Sequence, residues 1–156
     1  SAVYAQGPSA APADAAALAG QHPAGYYQRA GALFKGGRKD EAVFIFYLGQ
    51  LRYRAHLAAR RDLPRDGDPA LFASLSEVVG RPINAYAFGD IPALARTLDA
   101  VLAYDAANPD TFTPPSQFPQ VYVQVREGLA GIRAEVVKDA QSIRAQRRQN
   151  GLENRN

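Results

Sequence analysis

The chain has no cysteine, no methionine and no tryptophan, and its 156 residues include only two histidines. Without cysteine there are no disulfides, thiolate zinc sites, iron–sulfur clusters or cysteine nucleophiles. The two histidines, His22 and His56, stand in no recognisable motif. There is no Gly-x-Ser-x-Gly elbow, no phosphate-cradling glycine loop and no His-Glu-x-x-His pair. Long apolar runs are also missing. The longest, Ala42 to Leu48, is far short of the roughly 20 residues that span a bilayer, so no membrane span is expected. These absences together predict a protein that is not an enzyme and carries neither metal nor cofactor.

What is present suits a packed domain. Apolar residues make up 47% of the chain and charged residues 21%, close to the averages of globular domains. A chain of this length buries about two-thirds of the surface its unfolded form exposes, enough for one core without staples. The formal charge of +3 is uneven. From Lys138 onward stand Lys138, Arg144, Arg147, Arg148 and Arg155 against only Asp139 and Glu153. Cations belong at a helix C-terminus, where they oppose the negative end of the dipole, so this excess predicts a helix end and not a nucleic-acid surface.

Residues 1–20 are rich in Ala, Pro, Gly and Ser and lack apolar periodicity, which predicts a flexible tail ahead of a helical domain over 21–156. Val3-Tyr4-Ala5 places small or β-branched residues at the minus-three and minus-one positions of a signal-peptidase site. The expected location is therefore periplasmic or secreted, with the cytoplasm as the alternative.

Beyond the tail the spacing is helical throughout. Pro23 opens a helix carrying Tyr26, Ala30, Leu33 and Phe34, and Gly36-Gly37 closes it. Asp40 and Glu41 then acidify the start of a second helix, about 40–59, whose centre Val43–Leu48 is apolar on every side. A helix apolar all round is one enclosed by neighbours. Asp62–Pro69 reads as a loop, with Asp68 as N-cap and Pro69 as first residue of a third helix ending near Val79. Gly80-Arg81-Pro82 is expected to stop it, followed by a short segment of one or two turns at Ile83–Phe88. Asp90 caps a fourth helix carrying Leu94, Leu98, Val101 and Leu102 inward to about Ala106. Four prolines mark residues 108–119 as a long loop. The last helix keeps one stripe from Val121 to Ile143, and Asn150-Gly151 caps it. The predicted fold is an all-α, single-domain bundle of five or six helices around a buried central helix.

Residues 26–49 resemble one tetratricopeptide hairpin. Tyr26, Ala30, Leu33, Gly37, Ala42, Phe46 and Gly49 occupy its aromatic, small, bulky, turn-glycine, alanine, aromatic and small positions. Arg54 stands where the family closes its repeat with proline. A poorer echo runs from Ala85 to Ala106 with Leu94 at the alanine position, and its offset of 52 residues differs from the family's 34. The resemblance implies packed helical hairpins and protein binding, without a superhelix.

Acidic residues need weighing as chemistry. Asp62, Asp66 and Asp68 lack the alternating ligands and closing glutamate of a calcium loop, so turn and cap roles are expected. Asp99 with Asp105, or Asp40 with Glu41, would be the candidates for an acid pair in a small enzyme. The polar residues of the central helix are more informative. Tyr47, Gln50 and Arg54 share one face at steps of three and four, with Arg52 and Tyr53 beside them. An enclosed arginine needs a partner, either an internal carboxylate such as Glu77, Asp90 or Asp99, or an acidic ligand in a groove. The functional expectation is a non-enzymatic bacterial adaptor or inhibitor that binds another protein beside the central helix through these five residues. A toxin-neutralising immunity protein is the specific alternative, and the small acid-pair enzyme is the other.

Overall fold

The computed structural model describes residues 11–156. Among them are eight helices: α1 (Ala13–Ala17), α2 (Ala24–Lys35), α3 (Lys39–Ala59), α4 (Asp68–Val78), α5 (Gly80–Ala87), α6 (Ile91–Ala107), α7 (Pro119–Lys138) and α8 (Ala140–Gln149). No strand occurs among the described residues, so the all-α class holds, with more helices than the five or six expected. No helix of the described chain is long and apolar enough to cross a membrane.

The extra helices have local causes. Gly80-Arg81-Pro82 does not end helical structure but starts α5, because proline in a first turn forfeits no hydrogen bond. Gly80 lets α5 approach α3 closely, since a Cβ there would lie 3.0 Å from the Phe46 ring. The long final helix is interrupted at Asp139, which separates α7 from α8. Ser142 Oγ donates to the Asp139 carbonyl at 3.0 Å in the first turn of α8. The apolar stripe continues past the break through Val136, Ala140 and Ile143. Of the expected tail, Ala13–Ala17 is α1, and Ala15 and Leu18 are buried in the core. Val3-Tyr4-Ala5 lies outside the described residues.

Helix α3 is the axis of the fold. Every residue from Ala42 to Gly49 is buried, as are Leu51, Arg52, Tyr53, Ala55 and His56. Helices α2, α4, α5, α6 and α7 all pack on it. Each buried Leu, Ile or Phe in such a rod contributes roughly 1.5–3 kcal/mol, so α3 supplies much of the folding free energy. Its tightest neighbour is α2. Gly37, at φ +87°, turns the chain between them, and Arg38 N–H closes back on the Leu33 carbonyl at 2.9 Å. Farther along, Gly49 lies so near Tyr26 that a Cβ would meet that residue's Cβ at 2.4 Å.

Candidate functional site

The five polar residues of α3 part company. Arg52 is 1% exposed, and its guanidinium is consumed inside the molecule. Nε donates to Asp105 Oδ1 at 2.9 Å, Nη1 to the Tyr26 hydroxyl at 2.8 Å and Nη2 to the Asn108 carbonyl at 2.6 Å. Asp105, wholly buried on α6, also accepts from Arg126 Nε of α7 at 2.8 Å. Arg52 therefore ties α2, α3, α6 and α7 together. Its partner is Asp105, and Glu77, Asp90 and Asp99 are not. Tyr47 donates to Asn84 Oδ1 at 2.6 Å, and Tyr53 to the Asp68 carbonyl at 2.8 Å. These three side chains fix packing.

Gln50 and Arg54 do something different. They face a groove of about 580 Å³ between the second half of α3 and the middle of α7. Leu51, Leu57 and Phe72 form one wall, and Val125, Leu129 and Ile132 form the other. Gln50 and Gln124 stand among them, and no acidic residue lines the space. Arg54 is exposed, lies 5.3 Å over the Phe72 ring, and makes no hydrogen bond or ion pair among the described residues. Gly128 opens the opposite side, since a Cβ there would touch nothing within 4 Å.

Each candidate acid has a partner of its own. Asp99 is held by Arg133, Asp105 by Arg52 and Arg126, Asp40 by the Tyr86 hydroxyl and Glu41 by Arg38. The basic C-terminal stretch is also partly used inside. Arg147 donates to the Ala85 and Glu153 carbonyls, and Arg155 to the Tyr86 carbonyl.

One cluster was not legible as a site in the sequence. His22 Nε2 and His56 Nε2 both lie on Asp68 Oδ2, at 2.9 and 2.7 Å, and the three ligand-capable atoms fall within 4.8 Å of one another. Asp68 is thus not the expected N-cap. It is the first residue of α4, Gly67 precedes it as the cap, and its carboxylate is spent on the histidines. Two imidazoles and a carboxylate could make a metal centre, so the second shell decides. A metal-bound imidazole turns its lone pair to the ion and donates its other N–H outward. Here both outward nitrogens face donors: Ala24 N–H reaches His22 Nδ1 at 3.1 Å, and Arg60 Nη1 reaches His56 Nδ1 at 2.8 Å. The protons therefore sit on Nε2 and point at Asp68, which suits a hydrogen-bonded clamp and opposes a metal. With both nitrogens of each ring engaged, neither histidine has a free lone pair to serve as a base.

The electrostatics of the clamp agree. The Asp68 carboxyl is held below the usual range, first by the His22 hydrogen bond and then by that of His56. Burial pushes the His56 imidazole down, and Arg60 reinforces this against the pull of Asp68. No family model, curated protein or solved structure matches the chain.

Proposed function

We propose that the chain is a non-enzymatic, partner-binding helical domain whose groove between α3 and α7 receives an amphipathic helix carrying one acidic residue. The observation that carries this reading is Arg54, a cation with no carboxylate of its own on the rim of an apolar trough. An acidic side chain on the partner would supply the missing charge, and the planar guanidinium, 5.3 Å over the Phe72 ring, suits a carboxylate. The lining follows α3 through Gln50, Arg54 and Ala58 and α7 through Gln124, Gly128 and Ile132, steps of four on each helix, which is the geometry that accepts the ridge of a third helix. Gly128 leaves room for that backbone to come close. Of the residues expected to bind, Gln50 and Arg54 keep this role in the reading, while Tyr47, Arg52 and Tyr53 are spent on internal hydrogen bonds. The burial of Tyr26, Ala30, Leu33, Ala42, Phe46 and Gly49 at the α2–α3 hairpin supports the tetratricopeptide resemblance, whose family also binds proteins. An adaptor or inhibitor is the broad class, and a toxin-neutralising immunity protein is a particular case of it.

The test uses designed helical peptides with leucines along one ridge and a single Glu or Lys at the position facing Arg54. Fluorescence polarisation should rank the Glu peptide above the Lys peptide, Arg54→Glu should invert that order, and Gly128→Leu should abolish binding with the helical circular dichroism unchanged. Equal binding of the two peptides, or indifference to Gly128→Leu, would remove the groove from consideration.

A further inference from the structure

His56 sits between two charged groups that make opposite demands on it. Asp68 Oδ2 accepts a hydrogen bond from Nε2–H, and Arg60 Nη1 donates to Nδ1. A guanidinium has donors only, so the Arg60 contact exists only while Nδ1 is bare. The same Arg60 nitrogen donates to Thr113 Oγ1 at 2.8 Å, and Nη2 donates to the Phe112 carbonyl at 2.9 Å. One neutral imidazole thus helps hold the arginine that ties the loop after α6 to the end of α3. The Phe112 ring then lies against the rings of His22 and His56, at 5.4 and 5.2 Å, covering the clamp.

A proton on Nδ1 would set N–H against N–H and cation against cation at the Arg60 contact. The groups facing His56 from each packed element divide accordingly. Asp68 of α4 favours the charged ring, whereas His22 before α2 and Arg60, the residue capping α3, oppose it. Tyr53 is engaged with the Asp68 carbonyl, and Asp110 with the backbone N–H groups of Phe112 and Thr113. Arg60 is partly exposed just past the end of α3, so its side chain can turn to water once the contact is lost.

We propose that His56 and Arg60 form an acid-released latch: uptake of one proton at His56 Nδ1 expels Arg60, frees Phe112 and Thr113 from α3, and uncovers the His22–Asp68 face. This inference is independent of the groove reading.

Nitrogen-15 spectra of the histidine rings and amide exchange test it on the whole chain. At about pH 7.5, His56 should be the Nε2–H tautomer, and protection at Phe112 and Thr113 should fall roughly tenfold by about pH 5.5, after correction for intrinsic exchange, while Val43–Leu48 stays protected. His56→Gln should keep the loop protected at both pH values. Arg60→Gln should leave it equally weakly protected at both, so the test survives if the first variant misfolds. His22→Gln should retain the response. The latch is overturned by an Nδ1–H tautomer at neutral pH, by loop protection in the unaltered protein that ignores pH, or by a response that persists in His56→Gln.

Discussion

Arg52 and Asp105 set what single residues are worth in this fold. Both are buried and pair at 2.9 Å, so removing Asp105 leaves Arg52 in the core without a carboxylate. Asp105→Asn should cost about 3–5 kcal/mol, because it strands Arg52 while Arg126, one-third exposed, can turn to water. The double substitution Arg52→Met with Asp105→Leu should recover much of that loss, since two apolar side chains need no partner. Urea denaturation of the three variants measures both; a loss below about 1 kcal/mol for Asp105→Asn would show the pair is not holding the core. The sequence demanded a carboxylate for Arg52 but pointed at the wrong ones. Asp105 was nonetheless marked: it continues the buried steps Leu94, Leu98 and Val101 by four more residues, which places it inward on α6. The His22–Asp68–His56 clamp carried no such mark. Its members are 46 and 12 residues apart, and a loop brings them together, so no periodicity registers the encounter.

At the scale of the helix, α7 carries a glycine that its own neighbours do not require. Gly128 sits mid-helix with nothing within 4 Å of a would-be Cβ, although glycine there costs roughly 0.5–1 kcal/mol relative to alanine. Gly128→Ala should therefore stabilise the isolated protein by about that amount in thermal unfolding. Any loss of stability would mean the space beside α7 is filled in solution. Contrast Gly49 and Gly80, where a Cβ would strike Tyr26 and Phe46 and the glycine is structural. These cases also show what helical spacing can resolve. The all-round apolar run marked α3 as the enclosed element, and Asp90 was legible as an N-cap, accepting from Ala93 N–H at 3.1 Å. Breaks that preserve the stripe, such as Asp139, and a start that contains proline, as in α5, leave the apolar pattern intact and so escaped it. The groove escaped for another reason: Gln50 and Arg54 mark one wall, but which helix faces them depends on how α7 crosses α3.

The molecule as a whole should be limited by pH from both sides, for different reasons. In acid, the unfolded chain takes up a proton at His56 near its ordinary value while the fold resists, so stability falls as pH drops below about 6.5. Asp68, whose folded carboxyl is held low, adds stability above the ordinary carboxylate range, which is lost as pH falls further through its depressed value. These are one group each, so the acid decline should be shallow. The alkaline side is steeper. Tyr26, Tyr27, Tyr47 and Tyr122 are all at most 3% exposed, and burial pushes each phenol up from its ordinary value. A raised folded value means their contribution is intact below about pH 10 and is lost above it, where the unfolded chain ionises and the fold does not. Each group costs about 1.4 kcal/mol per pH unit there until its own folded value is reached, so Tyr27, Tyr47 and Tyr122, pushed up furthest, approach the total stability of a small domain, about 5–15 kcal/mol, within about one to four units. Helical circular dichroism and tyrosinate absorbance should therefore change together, in one cooperative step, between about pH 10.5 and about pH 12.5. Absorbance that titrated gradually near pH 10 with the helices intact would place these tyrosines in water, and the packing around α3 would have to be redrawn.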